Sequence, residues 1–168
     1  EAIKTEAAFS GGINTLKNDD YGVMEVNGGL ITNYTQAAIQ NHGTATINGG
    51  EFKADSKYAI DNCGCAETMD PGKLTITGGT FEGTLYVRSQ YSDVKISGGE
   101  FNGKITKENG SLVITGGTFS TNPSSYVADG YGVATTKDGY GVGQTIQVNF
   151  KITKDMFVKD AQIENLTW

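Results

Sequence analysis

Several residue types are too scarce in this 168-residue chain to support many fold and function classes. It holds 2 Pro, 2 Cys, 1 His and 1 Trp, and only 10% of it is aromatic. Both cysteines sit in the stretch "CGC" at 63–65, which makes no disulfide framework. Lys and Arg number 13 against 19 acidic residues, giving a formal net charge of −6. That balance argues against nucleic acid as a partner, because a polyanion needs a basic face. No apolar run approaches the roughly 20 residues that span a bilayer, so no membrane insertion is expected. Hydrophobic residues reach 37%, short of the usual 45–50% or so, which suits a thin, elongated core. No signal peptide is visible and residue 1 is Glu, so the chain reads as a mature or excised fragment.

Glycine is what the chain has instead. The 24 glycines are about twice the share of roughly 7% in ordinary proteins, and many come in pairs inside a repeated phrase. "LTITGGTF" (74–81) is nearly copied as "LVITGGTF" (112–119), with "VKISGGEF" (94–101), "ATINGGEF" (45–52) and "MEVNGGLI" (24–31) as variants. Aligned on the first glycine, the repeats start from Gly11, Gly28, Gly49, Gly78, Gly98 and Gly116. Most intervals are near 20 residues, too short for a helical-hairpin repeat and suited to one turn of a β-solenoid.

Within each repeat the residues alternate. Met24, Ala45, Leu74, Val94 and Leu112 form one apolar column; Val26, Ile47, Ile76, Ile96 and Ile114 form the next. Polar residues lie between them, so each segment reads as a strand with one face in and one out. Ile31, Phe52, Phe81, Phe101 and Phe119 fill the interior after the glycine corner, and Leu16, Ile39, Ile60, Val87 and Ile105 supply a further inner position. Each coil thus yields about three short strands. One coil cannot bury its inner face alone, whereas stacked coils can. The expected fold is all-β: a right-handed parallel β-helix of about six coils with a C-terminal β-hairpin cap. The coils occupy 1–119, the cap 120–143, and 144–168 is an extension or the start of a following domain. "EAIKTEAAFSGGIN" at the N-terminus reads as a degenerate first coil with Phe9 in the place of Ile. At the other end "GYGVATTKDGYGV" reads as a hairpin with Asp138-Gly139 in its turn, and Tyr126, Tyr131 and Tyr140 fold over the last coil. Ile146, Val148, Phe150 and Ile152 then alternate as one long strand.

The "I-T/S-G-G-T/E-F" repeat, closed by "GGTFSTNPSSYVADGYGV", resembles the solenoid modules of large secreted or cell-surface proteins of Gram-positive gut-type bacteria and of some of their phages, with a pectin-lyase-like superfold. The resemblance spans about residues 20–142. It implies an exported, modular protein at the cell or virion surface, joined to flanking domains of the same polypeptide. It supplies no catalytic residues.

Two residue sets bear on chemistry. Asn18, Asn41 and Asn62 fall in one register, where stacked amides form a structural ladder. The next column holds Asp19, His42 and Cys63, with Cys65 and Asp61 close by. These are the residue types of a thiol nucleophile with its base and orienter, or of a metal site. We read the row as a polar corner and assign no catalytic residue, cofactor or metal. Polysaccharide cleavage is the rival reading, since "NDD" (18–20) and "NHG" (41–43) faintly resemble polygalacturonase motifs; the other motifs of those enzymes are absent. For binding, outward Thr75 with Thr46, Thr77, Ser97 and Thr115, and Tyr34, Tyr58, Tyr86 and Tyr91, offers hydroxyls and ring faces suited to glycans. The expected function is therefore a non-catalytic extracellular spacer, adhesion or glycan-binding module, its partners glycans or a host or bacterial surface. The alternative is a carbohydrate-active lyase or hydrolase, or a fragment of one.

Overall fold

The computed structural model describes residues 2–3, 8–64 and 71–146. Cys65, and the expected strand from Val148 onward, lie outside these residues. The chain begins with β1 (Ala2–Ile3), β2 (Ala8–Ser10) and β3 (Asn14–Asn18). A second coil follows as β4 (Val23–Val26), β5 (Leu30–Asn33) and β6 (Ala37–Asn41). The third coil has β7 (Thr44–Ile47) and the long β8 (Glu51–Asn62), and the fourth has β9 (Gly72–Ile76) and β10 (Thr80–Val87). The fifth comprises β11 (Ser92–Ile96), β12 (Glu100–Phe101) and β13 (Ile105–Lys107). Then come β14 (Ser111–Ile114), β15 (Gly117–Phe119), a 3-10 turn at Ser124–Tyr126, β16 (Tyr131–Thr136) and β17 (Gly139–Gln144).

These strands stack as a parallel β-helix of about five turns, one fewer than the six the sequence suggests. One sheet runs β1-β4-β7-β9-β11-β14; the other runs β2-β5-β8-β10-β12-β15-β17-β16, with β3, β6 and β13 joined to it. The expected three strands per coil therefore make two sheets. In β8 and β10 the second and third segments fuse into one continuous strand.

The two inner columns of the first sheet pair residue for residue, from Met24 and Val26 through Leu112 and Ile114. All ten side chains are buried. The Ile31–Phe119 column does the same in the second sheet. Phe52, Phe81, Phe101 and Phe119 stack with ring centroids 4.7–4.9 Å apart. Burying each ring contributes on the order of 1.5–3 kcal/mol, and stacking adds about 0.5–1.5 kcal/mol per pair.

The glycine pair serves two separate needs. The second glycine takes a left-handed backbone, φ +103° at Gly79 and +102° at Gly99, where an L side chain is strained. The first has an ordinary backbone but no room: a Cβ on Gly78 would sit 2.5 Å from the Asn48 carbonyl of the coil below. One residue turns the chain and the other lets coils approach.

Four expectations are corrected. Val87 is not in the Ile60 column; Leu85 pairs with Ile60 and Ile105, and Val87 pairs with Asn62. The cause is a corner that shortens, from Phe52–Ile60 in the third coil to Phe81–Leu85 in the fourth, with a register shift between them. Phe9 pairs with Ile31 and so belongs to the phenylalanine column. Gly11 consequently lies beyond that column, at the corner where Asn33 Nδ2 donates to its carbonyl, and is not equivalent to Gly28. The hairpin turn is Lys137–Asp138, because Thr136 pairs with Gly139, which already belongs to β17.

The cap covers both sheets with different elements. β17 pairs antiparallel to β15, setting Tyr140 opposite Phe119. Val127 bridges to Ile114 at the end of the first sheet. Tyr126, Val127, Tyr140 and Val142 pack on the core, whereas Tyr131 is half-buried outside that cluster.

Candidate functional site

At the corner after β3, β6 and β8, Asn18 Nδ2 donates to Asn41 Oδ1 (2.8 Å) and Asn41 Nδ2 to Asn62 Oδ1 (2.7 Å). Asn62 Nδ2 ends the run on the Gly72 carbonyl at 2.6 Å. The same amides also donate to backbone carbonyls, such as Asn41 to Gly43 and Lys73 (both 3.1 Å). This ladder is fully engaged in holding the corner, and at the next coil Val87 takes its register.

Asp19, His42 and Cys63 do share a row, since His42 N donates to Asn18 O and Cys63 N to Asn41 O. Their side chains engage different partners. Asp19 takes a hydrogen bond from Lys17 at 3.0 Å, which holds its carboxyl below the ordinary value. His42 Nδ1 lies 3.9 Å from Asp20. The Cys63 thiol donates to Asp61 Oδ1 at 3.4 Å. Burial first, and then the Asp61 charge, push that thiol up to about 12. A nucleophilic thiol needs the opposite shift. Among the described residues no three His, Cys, Asp or Glu side chains converge to hold a metal ion.

Asp61 is the centre of this corner. It is fully buried yet outward-facing, in the register of Gln40 and Tyr86. Arg88 grips it with two bonds, Nε to Oδ1 at 3.1 Å and Nη2 to Oδ2 at 2.7 Å. The guanidinium also lies over the Tyr86 ring at 4.7 Å and near Tyr58 at 5.9 Å. Tyr58 and Tyr86 stack at 5.0 Å, and the Tyr86 hydroxyl bonds to Glu108, which raises its pKa. Sequence reading singled out the two tyrosines and placed Asp61 beside the Cys63 row, but missed Arg88 and Glu108. Register alone would have placed Arg88 beside Cys63.

The other proposed binding residues do not join this pair. Thr75 faces out from the first sheet between Thr46 and Lys95. Tyr34 and Tyr91 sit at corners, Tyr34 65% exposed. Thr77, Ser97 and Thr115 are occupied at home: their hydroxyls donate to Ile47 O, Ile76 O and Ile96 O of the preceding coil. Thr77 shares its one hydroxyl proton chiefly with Asn48 Oδ1 at 2.8 Å, and Asn48 donates to Asn27 at 2.8 Å, forming a second, exposed ladder that sequence reading missed.

Two concavities lie elsewhere on the second sheet. One, of about 410 Å³, has Glu100, Asn102, Thr118 and Ser120 on its coil side and Thr136, Asp138 and Tyr140 on its hairpin side. The other, of about 510 Å³, runs over Gly83 and Gly103 between Asp55, Lys57 and Lys104. Asn102 and Ser120 line both. In sequence the only signal for this trough is the polar residue on either side of each inner phenylalanine, as in "GGEFN" and "GGTFS".

No protein-family model matches the chain, and neither a curated protein nor a solved structure matches it. No helix among the described residues is long and apolar enough to cross a membrane.

Proposed function

We propose that the chain is a non-catalytic β-solenoid module, a rigid spacer that presents a glycan-binding surface within a larger bacterial cell-surface or phage-fibre protein. The observation that carries this reading is the state of its most reactive corner. The Cys63 thiol is pushed up to about 12, and Asp61 is sealed by Arg88, so these two groups are committed to structure. What remains outward is polar and aromatic: the Tyr58–Tyr86 stack with Arg88 over it, and the hydroxyl- and carboxylate-lined trough. Ring faces stacking on sugars and hydroxyls pairing with them are the interactions such a surface offers. Placement at the cell or virion surface rests on the resemblance of the GGTF repeat alone.

The test has two arms on the same protein. A glycan array probes binding, and reducing-end release from a set of plant and bacterial polysaccharides probes cleavage. Binding without release is the expected result. Release that is lost on substituting Glu100 or Asp138 would move the protein to the carbohydrate-active enzymes.

A further inference from the structure

We infer that the trough between the third coil and the cap hairpin is a binding site for an uncharged oligosaccharide lying along the solenoid axis. This rests on the glycan reading above and gives it a place.

The trough follows from a change in coil shape. In the third coil the chain swings wide, from Phe52 to Ile60, and carries Asp55 and Lys57 outward. The next two coils cut the corner short, from Phe81 to Leu85 and from Phe101 to Ile105. Gly83 and Gly103 stack at that tight corner. Gly83 has φ +127°, and a Cβ on Gly103 would collide with the Gly83 carbonyl. Two successive coils therefore lack side chains where the third coil projects them. At the far end the hairpin raises a wall of Thr136, Asp138 and Tyr140. The result is an open groove about three coils long, roughly 15 Å at about 4.8 Å per coil, with Asp55 and Lys57 at one end and Thr136, Asp138 and Tyr140 at the other.

Its lining selects the ligand class. The middle and cap end present hydroxyls, an amide and the Glu100 and Asp138 carboxylates; the wide-coil end adds Lys57 and Lys104. Carboxylates accept hydrogen bonds and repel anions, so they suit sugar hydroxyls and disfavour uronate or phosphate chains. Unlike Thr77, Ser97 and Thr115, the Thr118, Thr136 and Tyr140 hydroxyls and the Asp138 carboxylate make no side-chain hydrogen bond to the described residues. The half-buried ring of Tyr140, propped on the core, adds a flat apolar edge beside them.

Calorimetric titration of the whole chain with cellohexaose, maltohexaose, mannohexaose and hexagalacturonate tests this. At least one neutral hexasaccharide should bind. Asp138→Ala and Asn102→Ala should each weaken it about tenfold, and Ser120→Trp, which fills the stretch shared by the two concavities, should abolish it. Both alanine variants change exposed side chains, and an unchanged melting temperature shows that the fold is intact. Lys95→Ala, an exposed change on the other sheet, should leave the affinity as it was. Binding that ignores the trough variants and is lost in Tyr58→Ala would uphold the glycan reading and overturn the trough. Tighter binding of hexagalacturonate would overturn the choice of an uncharged ligand, and no binding of any of the four would overturn both readings.

Discussion

Arg88 closes over Asp61, a carboxylate with no exposure to water, through two hydrogen bonds of 3.1 and 2.7 Å. The pair joins adjacent coils, because Arg88 N donates to Asn62 O while its side chain reaches back one column. Asp61 in turn shapes the thiol beside it, so this corner behaves as one electrostatic unit rather than as separate surface groups.

Removing one partner should expose the cost of the other. Arg88→Ala leaves a buried carboxylate unpaired, which typically costs about 3–5 kcal/mol. Arg88 itself is 41% exposed, so water enters the gap and the low end of that range is expected. Arg88→Lys should recover only part of the loss, since an ammonium cannot make the two-pronged bond. Urea melts of the three proteins decide it; equal stability of all three would mean that Asp61 is not held by Arg88.

The thiol gives the corner a pH signature. Cys63 is pushed up to about 12, first by burial and then by Asp61, while an unfolded thiol ionises near 8.5. The folded state therefore keeps a proton that the unfolded state releases. The resulting stability is fully present below about pH 8.5 and is lost as pH rises towards 12. Denaturant melts should show Cys63→Ala falling less steeply than the parent chain over this interval. Alkylation of Cys63 should also stay slow at pH 6–8 and be unchanged in His42→Ala. Fast modification at pH 6 that needs His42 would return the Asp19–His42–Cys63 row to the catalytic reading.

The inner columns could be read from the sequence because period-two alternation and a repeated glycine corner fix them locally. Where the chain departs from the repeat, spacing failed. Val87 was misplaced because the corner between the second and third segments shortens by a register shift that only the stacked partner reveals. The same shortening makes the trough, so that surface was invisible for the same reason. Arg88 escaped notice because its role comes from a carboxylate one coil below, and the hydroxyls of Thr77, Ser97 and Thr115 looked free because their acceptors are backbone carbonyls of the coil beneath.

The in/out assignment predicts unequal costs along one strand pair. Ile96 is buried in an unbroken column, so Ile96→Ala should cost about 2–5 kcal/mol through the cavity it leaves. Thr75 is exposed on the outer face, and Thr75→Ala should cost under about 0.5 kcal/mol. Similar midpoints for the two variants in urea would contradict the register between β9 and β11.

The cap makes the strongest claim about the whole molecule. A parallel solenoid ends in strands whose outer backbone groups would template another coil, and proteins avoid that by covering or breaking the edge. Here β17 turns the pairing antiparallel on β15, and Val127 occupies the end of β14, with Ala128 N donating to Ile114 O at 3.0 Å. Tyr140 and Val142 cover the last inner phenylalanine from the same side. A chain ending at Phe119 would lose all of these at once. It would present two open strand edges and an uncovered apolar end, and should self-associate in a concentration-dependent way. Light scattering over a dilution series checks this. A shortened chain that stays monodisperse and monomeric would mean that the hairpin is an appendage, and that the last coil protects its own edge.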